Sequence, residues 1–135
     1  MIPTGFLKAW AGAAVFLLLI DGLWLGVVAR SFYSRQLGDL MLESPKLSIA
    51  AVFYVMYSAA VVILASAPAF RSGSLTDALL LGAILGFAAY GTYDITNMST
   101  LKNWPTLMSF VDMAWGTALT TATAAVGFWL LRWIQ

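Results

Sequence analysis

Long uninterrupted stretches of apolar residues dominate the chain, and they predict four membrane-spanning helices. An α-helix needs about 20 predominantly apolar residues to cross a bilayer, and each stretch supplies them. Strands are excluded because the stretches exceed strand length and lack alternation with period two. The sequence therefore predicts an all-α integral membrane four-helix bundle that forms a single transmembrane domain over residues 1–135. We place its spans at approximately residues 6–28, 47–67, 76–97 and 105–133.

Helix-starting and helix-ending residues mark the borders of these stretches. Pro45 precedes the second span, and we expect Pro68 to close it. The sequence from Ser74 to Asp77 is typical of a helix N-cap, and Pro105 suits the first turn of the fourth span. The N-terminal region is only weakly basic, with Lys8 alone, and Asp21 interrupts the apolar stretch. We therefore expect the first span to be retained and not cleaved as a signal peptide.

The longest connection, residues 29–46, joins the first and second spans and mixes charged with apolar residues. Its apolar positions, such as Phe32, Leu37 and Leu40, follow a rough helical spacing. This spacing predicts an interfacial amphipathic helix, with a solvated loop as the alternative.

Composition supports a membrane protein and removes several kinds of chemistry. Hydrophobic residues make up 61% of the chain and charged residues only 10%, whereas a soluble domain has about 25% charged residues. The chain contains no Cys and no His, which excludes disulfides, thiol nucleophiles and imidazole bases. The formal net charge of +1 gives no argument for nucleic acid. We expect no bound metal and no cofactor.

Apart from Asp77 at the start of the third span, three aspartates lie within the predicted spans, and all three lie toward the same side of the membrane. Asp21 comes late in the first span, Asp94 late in the third and Asp112 early in the fourth. Successive spans run in opposite directions, so these positions share a side, on the order of 6–12 Å from the span midpoints. An unpaired aspartate facing lipid costs about 2.5–3.5 kcal/mol at the membrane centre. We therefore expect the three side chains to face the interior of the bundle.

Aromatic and amide side chains accompany the aspartates at the same depth. Tyr90, Asp94 and Asn97 share one stripe of the third span by their i, i+4, i+7 spacing. Each of the other two aspartates is followed three residues later by a Trp on its own helix face, and Lys102 can reach back as a counter-charge. The predicted ligand-binding residues are Asp21, Trp24, Tyr54, Tyr57, Tyr90, Tyr93, Asp94, Asn97, Lys102, Asp112 and Trp115.

Small residues predict close helix packing. Gly82 and Gly86 form a GxxxG pair on the same stripe of the third span. The fourth span carries a matching face of small residues at Gly116, Thr120, Ala124 and Gly127.

Positive charges give almost no orientation signal. Three Lys or Arg residues lie on the side of the termini and four on the other side, which is nearly balanced for the positive-inside rule. Either orientation is open, and so is insertion in both orientations. The balance permits a homodimer or a larger membrane complex.

Three segments of the chain resemble a known family. They are the stretch from Tyr90 through Asp94 to Pro105, the stretch from Asp112 to Gly116, and Asp21 to Trp24. Together they resemble a family of small bacterial inner-membrane proteins described only as a predicted membrane protein of unknown function. The resemblance covers essentially the whole chain and implies a four-helix, multi-pass protein of the bacterial inner membrane. It also implies a lipid-related role, because genes of such a family tend to neighbour those of lipid-modifying enzymes.

These patterns support three functional hypotheses. The first is an acidic and aromatic pocket that binds or transports a small cation, a proton or a lipid headgroup, with carboxylates supplying charge and aromatic faces supplying cation–π attraction. The second is a membrane enzyme or accessory subunit in lipid modification that uses Asp94 and Asp112 as an acid–base pair or as ligands of a hard metal. The third is a structural or assembly subunit in which the aspartates only hold helices together. Membrane lipid is the expected partner in each case.

Overall fold

A computed structural model describes residues 2–134, which fold into helices and their connections without a strand in that range. Four helical stretches are long and apolar enough to cross a membrane, and they confirm the predicted all-α membrane bundle. We call them spans 1 to 4: Phe6–Val28, Leu47–Ser72, Leu75–Thr100 and Thr106–Ile134. Within them lie α1 (Phe6–Leu23), α3 (Leu47–Val61), α4 (Ala67–Ser72), α5 (Leu75–Thr100) and α6 (Thr106–Ile134), while α2 (Arg30–Leu37) connects spans 1 and 2.

Span 2 does not end at Pro68, so the prediction that this proline closes the span at residue 67 is wrong. The helix continues as α4, Ala67–Ser72, with Pro68 in its first turn. A wider π-helical turn, Val62–Ser66, comes immediately before it. Proline lacks the N–H of a regular helical bond and clashes with the carbonyl four residues earlier. A π-turn relaxes this clash locally, so the span continues past the proline.

The turn between spans 2 and 3 follows the predicted signals. Gly73 ends span 2 with a φ of 72°, a left-handed conformation that glycine adopts without steric cost. The side chain of Ser74 accepts a hydrogen bond from the backbone N–H of Asp77 at 3.2 Å. Ser74 is therefore the N-cap that the sequence predicts. Span 4 begins at Thr106, one residue after Pro105.

The predicted helix in the long connection is present as α2, Arg30–Leu37. Span 1 ends in a π-helical segment, Trp24–Val28, and α2 begins two residues later at Arg30. Gly38 ends α2 with a positive φ of 54°. The face of α2 that carries Tyr33 packs on span 4 through a small cluster that includes Met108.

Span 4 lies at the centre of the bundle and contacts the other three spans and α2. Its most extensive packing is against span 3. A Cβ added to Gly86 would come within 2.7 Å of the Thr120 Cβ, and one added to Gly82 within 2.8 Å of the Ala124 Cβ. These distances confirm the close packing predicted for each small-residue face, and they show that the two faces pack against each other.

Candidate functional site

The three predicted aspartates are buried on one side of the bundle. Asp21 is 5% exposed, Asp94 is fully buried and Asp112 is 8% exposed. Asp94 lies six residues before the end of span 3, and Asp112 lies six residues after the start of span 4. At 1.5 Å per residue, each is about 9 Å from its helix end. All three side chains therefore face the bundle interior at a shared depth.

Asp21 is held by two hydrogen-bond donors. The Tyr54 hydroxyl donates to its Oδ2 at 2.5 Å, and the Trp115 indole N–H donates to its Oδ1 at 2.9 Å. These bonds join spans 1, 2 and 4. Because each carboxylate oxygen has a donor, Asp21 is a satisfied acceptor that ties three helices together.

Asp112 is bound by a side chain from outside the spans. The Tyr33 hydroxyl on α2 donates to Asp112 Oδ1 at 2.7 Å, and the Trp24 indole N–H donates to the Tyr33 oxygen at 3.3 Å. Burial is the main cause that raises the pKa of the Tyr33 phenol above its ordinary value, and the hydrogen bond to Asp112 adds to this effect. The phenol therefore stays neutral and acts as a donor.

Asp94 differs from the other two aspartates because it has no donor. Neither of its carboxyl oxygens accepts a hydrogen bond from a donor group within residues 2–134, although the side chain is fully buried. Its polar neighbour is the Asp112 carboxyl, which is near enough to share a hydrogen bond with Asp94 once one of the two carboxyls holds a proton. Two neighbouring buried carboxyls that together receive a hydrogen bond from one donor are an unusual arrangement, and their desolvation has a high free-energy cost.

Aromatic rings fill the space around these carboxyls. The Trp24 and Trp115 rings stack face to face with their centroids 4.3 Å apart. Tyr90 packs its ring directly on Gly116, where an added Cβ would lie 2.1 Å from the Tyr90 Cγ. Tyr57 meets the Tyr90 ring edge-on. The cluster is thus tightly packed.

The remaining predicted residues do not bind the three aspartates by hydrogen bonds within residues 2–134. The Tyr57 hydroxyl pairs with Thr120 Oγ1 at 2.7 Å. Tyr93 is 52% exposed and packs edge-on against Trp104. Asn97 is half-buried and Lys102 is exposed. Neither gives a hydrogen bond to an aspartate in the part of the chain that the structure describes.

Sequence reasoning did not select Tyr33 as a site residue. It lies in the amphipathic connection, where its aromatic ring fits the apolar face of a surface helix. Its position in the chain could have identified it. The connection joins the ends of spans 1 and 2 that carry Asp21 and Tyr54, so Tyr33 lies on the same side of the membrane as the aspartates. Thr120, the partner of Tyr57, was selected only for helix packing.

Two grooves on the outer surface lie away from the aspartates. One is lined by apolar residues around Trp10 and Val55, and the other is lined by residues of span 4 around Trp129 and Trp133. Within residues 2–134, no group of three Asp or Glu side chains lies close enough together to hold a metal ion. The candidate site is therefore the packed cluster around Asp94 and Asp112. The simplest reaction that these two carboxyls can carry out is to bind and release a proton or one monovalent cation.

The fold and the depth of these polar side chains define a multi-pass α-helical membrane protein. Residues 6–129 match the family described as "Predicted membrane protein (DUF2177)", and the chain belongs to that family. The match confirms the resemblance that the sequence segments indicate. Comparisons with curated proteins and with solved structures gave no significant match.

Proposed function

We propose that this protein binds a proton or a small cation at Asp94 and Asp112, as the binding step of transport across the membrane. The observation that carries the proposal is the Asp94 carboxyl, which is fully buried and lacks any hydrogen-bond donor within residues 2–134. A buried polar group without a partner has a large desolvation cost. A bound proton or cation removes that cost, because it neutralises the charge.

The distribution of basic residues supports a ligand of positive charge. All seven Lys and Arg residues lie in connections or within a few residues of a span end. No basic side chain therefore lies at the depth of the aspartates to compensate them. Intramembrane acids of this kind are functional candidates by default, because they are expensive to retain.

The packing of the indoles favours a small ligand over an amine-bearing lipid headgroup. A cation–π site for a headgroup needs an aromatic face that the ligand can reach. The Trp24 and Trp115 rings lie nearly parallel, with an interplanar angle of 9°, so each covers one face of the other. A proton or a small cation needs no such opening.

Flux measurements in liposomes test the proposal. Wild-type protein, Asp94→Asn, Asp112→Asn and Asp39→Asn would be reconstituted, and H⁺, Na⁺ and K⁺ fluxes would be followed with internal indicators. We expect flux of one of these ions through the wild type, and at least a tenfold loss in Asp94→Asn and Asp112→Asn. Asp39 is exposed in the connection after α2, so Asp39→Asn should retain the wild-type flux. Equal flux in Asp94→Asn and wild type, or no flux of any of the three ions, would refute the transport function.

A structural role is the second candidate, and a specific observation favours it for Asp21. Both oxygens of this side chain have donors from other spans, as expected for a residue that fixes helix packing. The lipid-modifying enzyme has no such observation behind it and stays an alternative. A bacterial inner-membrane location, contact with membrane lipid and a homodimer are further parts of the proposal.

A further inference from the structure

We infer that Tyr33 is a positioning residue that keeps Asp112 as the charged acceptor and leaves Asp94 as the carboxyl that takes the proton. The inference rests on the proposed function and deepens it, because it names the ligand as a proton and assigns it to one of the two carboxyls. In the binding step a hydronium ion from the aqueous side transfers a proton to an Asp94 carboxylate oxygen: the carboxyl O–H bond forms, one O–H bond of the hydronium breaks, and water is released.

The direction of the hydrogen bonds around Tyr33 is fixed by the donor chemistry of Trp24. An indole N–H can only donate, so the Tyr33 oxygen accepts the bond from Trp24 at 3.3 Å. The phenol proton of Tyr33 is then directed at Asp112 Oδ1, 2.7 Å away. Asp112 is thereby the acceptor of a neutral donor, an arrangement that favours the carboxylate form.

The two carboxyls are therefore unequal although they are neighbours. Asp112 has a donor that stabilises its charge, whereas Asp94 has none and is fully buried. Two adjacent carboxylates repel each other, so a shared site holds one proton more readily than none. The proton belongs on the carboxyl that nothing else stabilises, which is Asp94.

Other titratable groups surround the pair without supplying a positive charge. Four of them interact electrostatically with the pair itself: Asp21 of span 1, Tyr33 of α2, and Tyr90 and Tyr93 of span 3. Tyr54 and Tyr57 of span 2 lie in the next layer and interact with Tyr90. Of these groups, only Tyr33 donates a hydrogen bond to a member of the pair. Tyr93 interacts electrostatically with both Asp94 and Asp112 but donates to neither, so it offers a matched control.

Infrared spectroscopy of the protein in lipid tests the inference, because a protonated carboxyl has its own C=O stretching band. At neutral pH we expect this band in the wild type and in Asp112→Asn, and its loss in Asp94→Asn. Asp94→Leu, which places no amide donor beside Asp112, should lose the band as well. Adding Tyr33→Phe to Asp94→Leu should restore a protonated-carboxyl band, now from Asp112, because Asp112 is then buried without a donor. Adding Tyr93→Phe to Asp94→Leu should not restore it.

Two outcomes would overturn the assignment. One is a wild-type spectrum without any protonated-carboxyl band that depends on Asp94, and the other is the absence of a restored band in the Tyr33→Phe/Asp94→Leu protein. Helical content measured by circular dichroism establishes that each variant is folded, and Tyr33→Phe keeps the ring that packs beneath α2. The flux measurement decides the proposed function independently: wild-type flux that is lost in Asp94→Asn would leave that function standing even if Tyr33 has no effect on the spectrum.

Discussion

Asp21 and Asp94 are the same residue type at a similar depth, yet their hydrogen-bond surroundings differ. Asp21 accepts from Tyr54 and Trp115, whereas Asp94 accepts from no residue in the described range. The depth of both residues could be predicted from the sequence, because it depends only on position within an apolar stretch. The number of donors could not, because it depends on how each helix is rotated about its axis.

This difference predicts opposite effects on stability. Asp21→Asn replaces one acceptor oxygen with an amide donor and leaves Tyr54 or Trp115 without its partner. We expect it to lower the free energy of unfolding by about 1–3 kcal/mol. Asp94→Asn replaces a buried carboxyl that accepts no hydrogen bond within residues 2–134 by a neutral amide of similar shape, and should leave stability unchanged or raise it. Unfolding in detergent by increasing amounts of sodium dodecyl sulfate measures both changes, with Asp39→Asn as the exposed control. A loss in Asp94→Asn that exceeds the loss in Asp21→Asn would contradict this assignment.

At the scale of helices, composition predicts where spans lie better than where they end. The apolar stretches place all four spans, and Ser74 is the N-cap that its sequence predicts. The prediction that Pro68 ends the second span is wrong, because the π-turn at Val62–Ser66 lets the helix continue past the proline. Whether a helix ends at a proline or continues through a π-turn depends on how it packs against neighbouring spans. That packing cannot be predicted from the sequence of one helix.

The contact between spans 3 and 4 predicts a position-specific effect of small substitutions. A Cβ at Gly116 would lie 2.1 Å from the Tyr90 ring, whereas a Cβ at Gly22 of span 1 meets nothing within 4 Å. Gly116→Ala should therefore destabilise the bundle by about 1–3 kcal/mol, since overpacking forces the ring or the backbone to move. Gly22→Ala should not destabilise it, because alanine is the better helix former. The same detergent unfolding assay compares the two, and equal stabilities would count against this packing.

At the scale of the whole molecule, the side of the membrane on which the aspartates cluster could be predicted, but the contact that completes the cluster could not. Antiparallel spans alone bring Asp21, Asp94 and Asp112 to one side. The hydrogen bond from Tyr33 to Asp112 joins residues 79 positions apart in the chain. It requires α2 to fold back over the end of span 4, and a helix connected at both ends can lie in many directions. The sequence therefore predicts the acids and most of the aromatic side chains but misses this donor.

The four-span arrangement makes a prediction about which connections share a compartment. The chain has no cysteine, so single thiols can be introduced at exposed positions, namely Ile2, Ser44 and Lys102. A membrane-impermeant maleimide should label Ser44→Cys and Lys102→Cys to the same extent from a given side, and Ile2→Cys to the complementary extent. This relation holds for either orientation and for a mixture of both. Labelled fractions of Ile2→Cys and Ser44→Cys that do not add up to the whole would contradict the single span that separates residue 2 from residue 44.

The central claim is that Asp94 is the residue through which a ligand of positive charge stabilises the folded protein. It is tested most directly by thermal unfolding in detergent over a range of pH, and with Na⁺ or K⁺ added at each pH. A ligand that binds only the folded form stabilises it by about 2.7 kcal/mol at one hundred times its dissociation constant. For a proton, this stabilisation grows as the pH falls, because the folded protein then holds a proton that the unfolded chain binds less tightly. We predict that the unfolding temperature of the wild type and of Asp39→Asn rises as the pH falls or as one of the cations is added. The same change in conditions should not raise the unfolding temperature of Asp94→Asn. The same response in Asp94→Asn as in the wild type would contradict the claim.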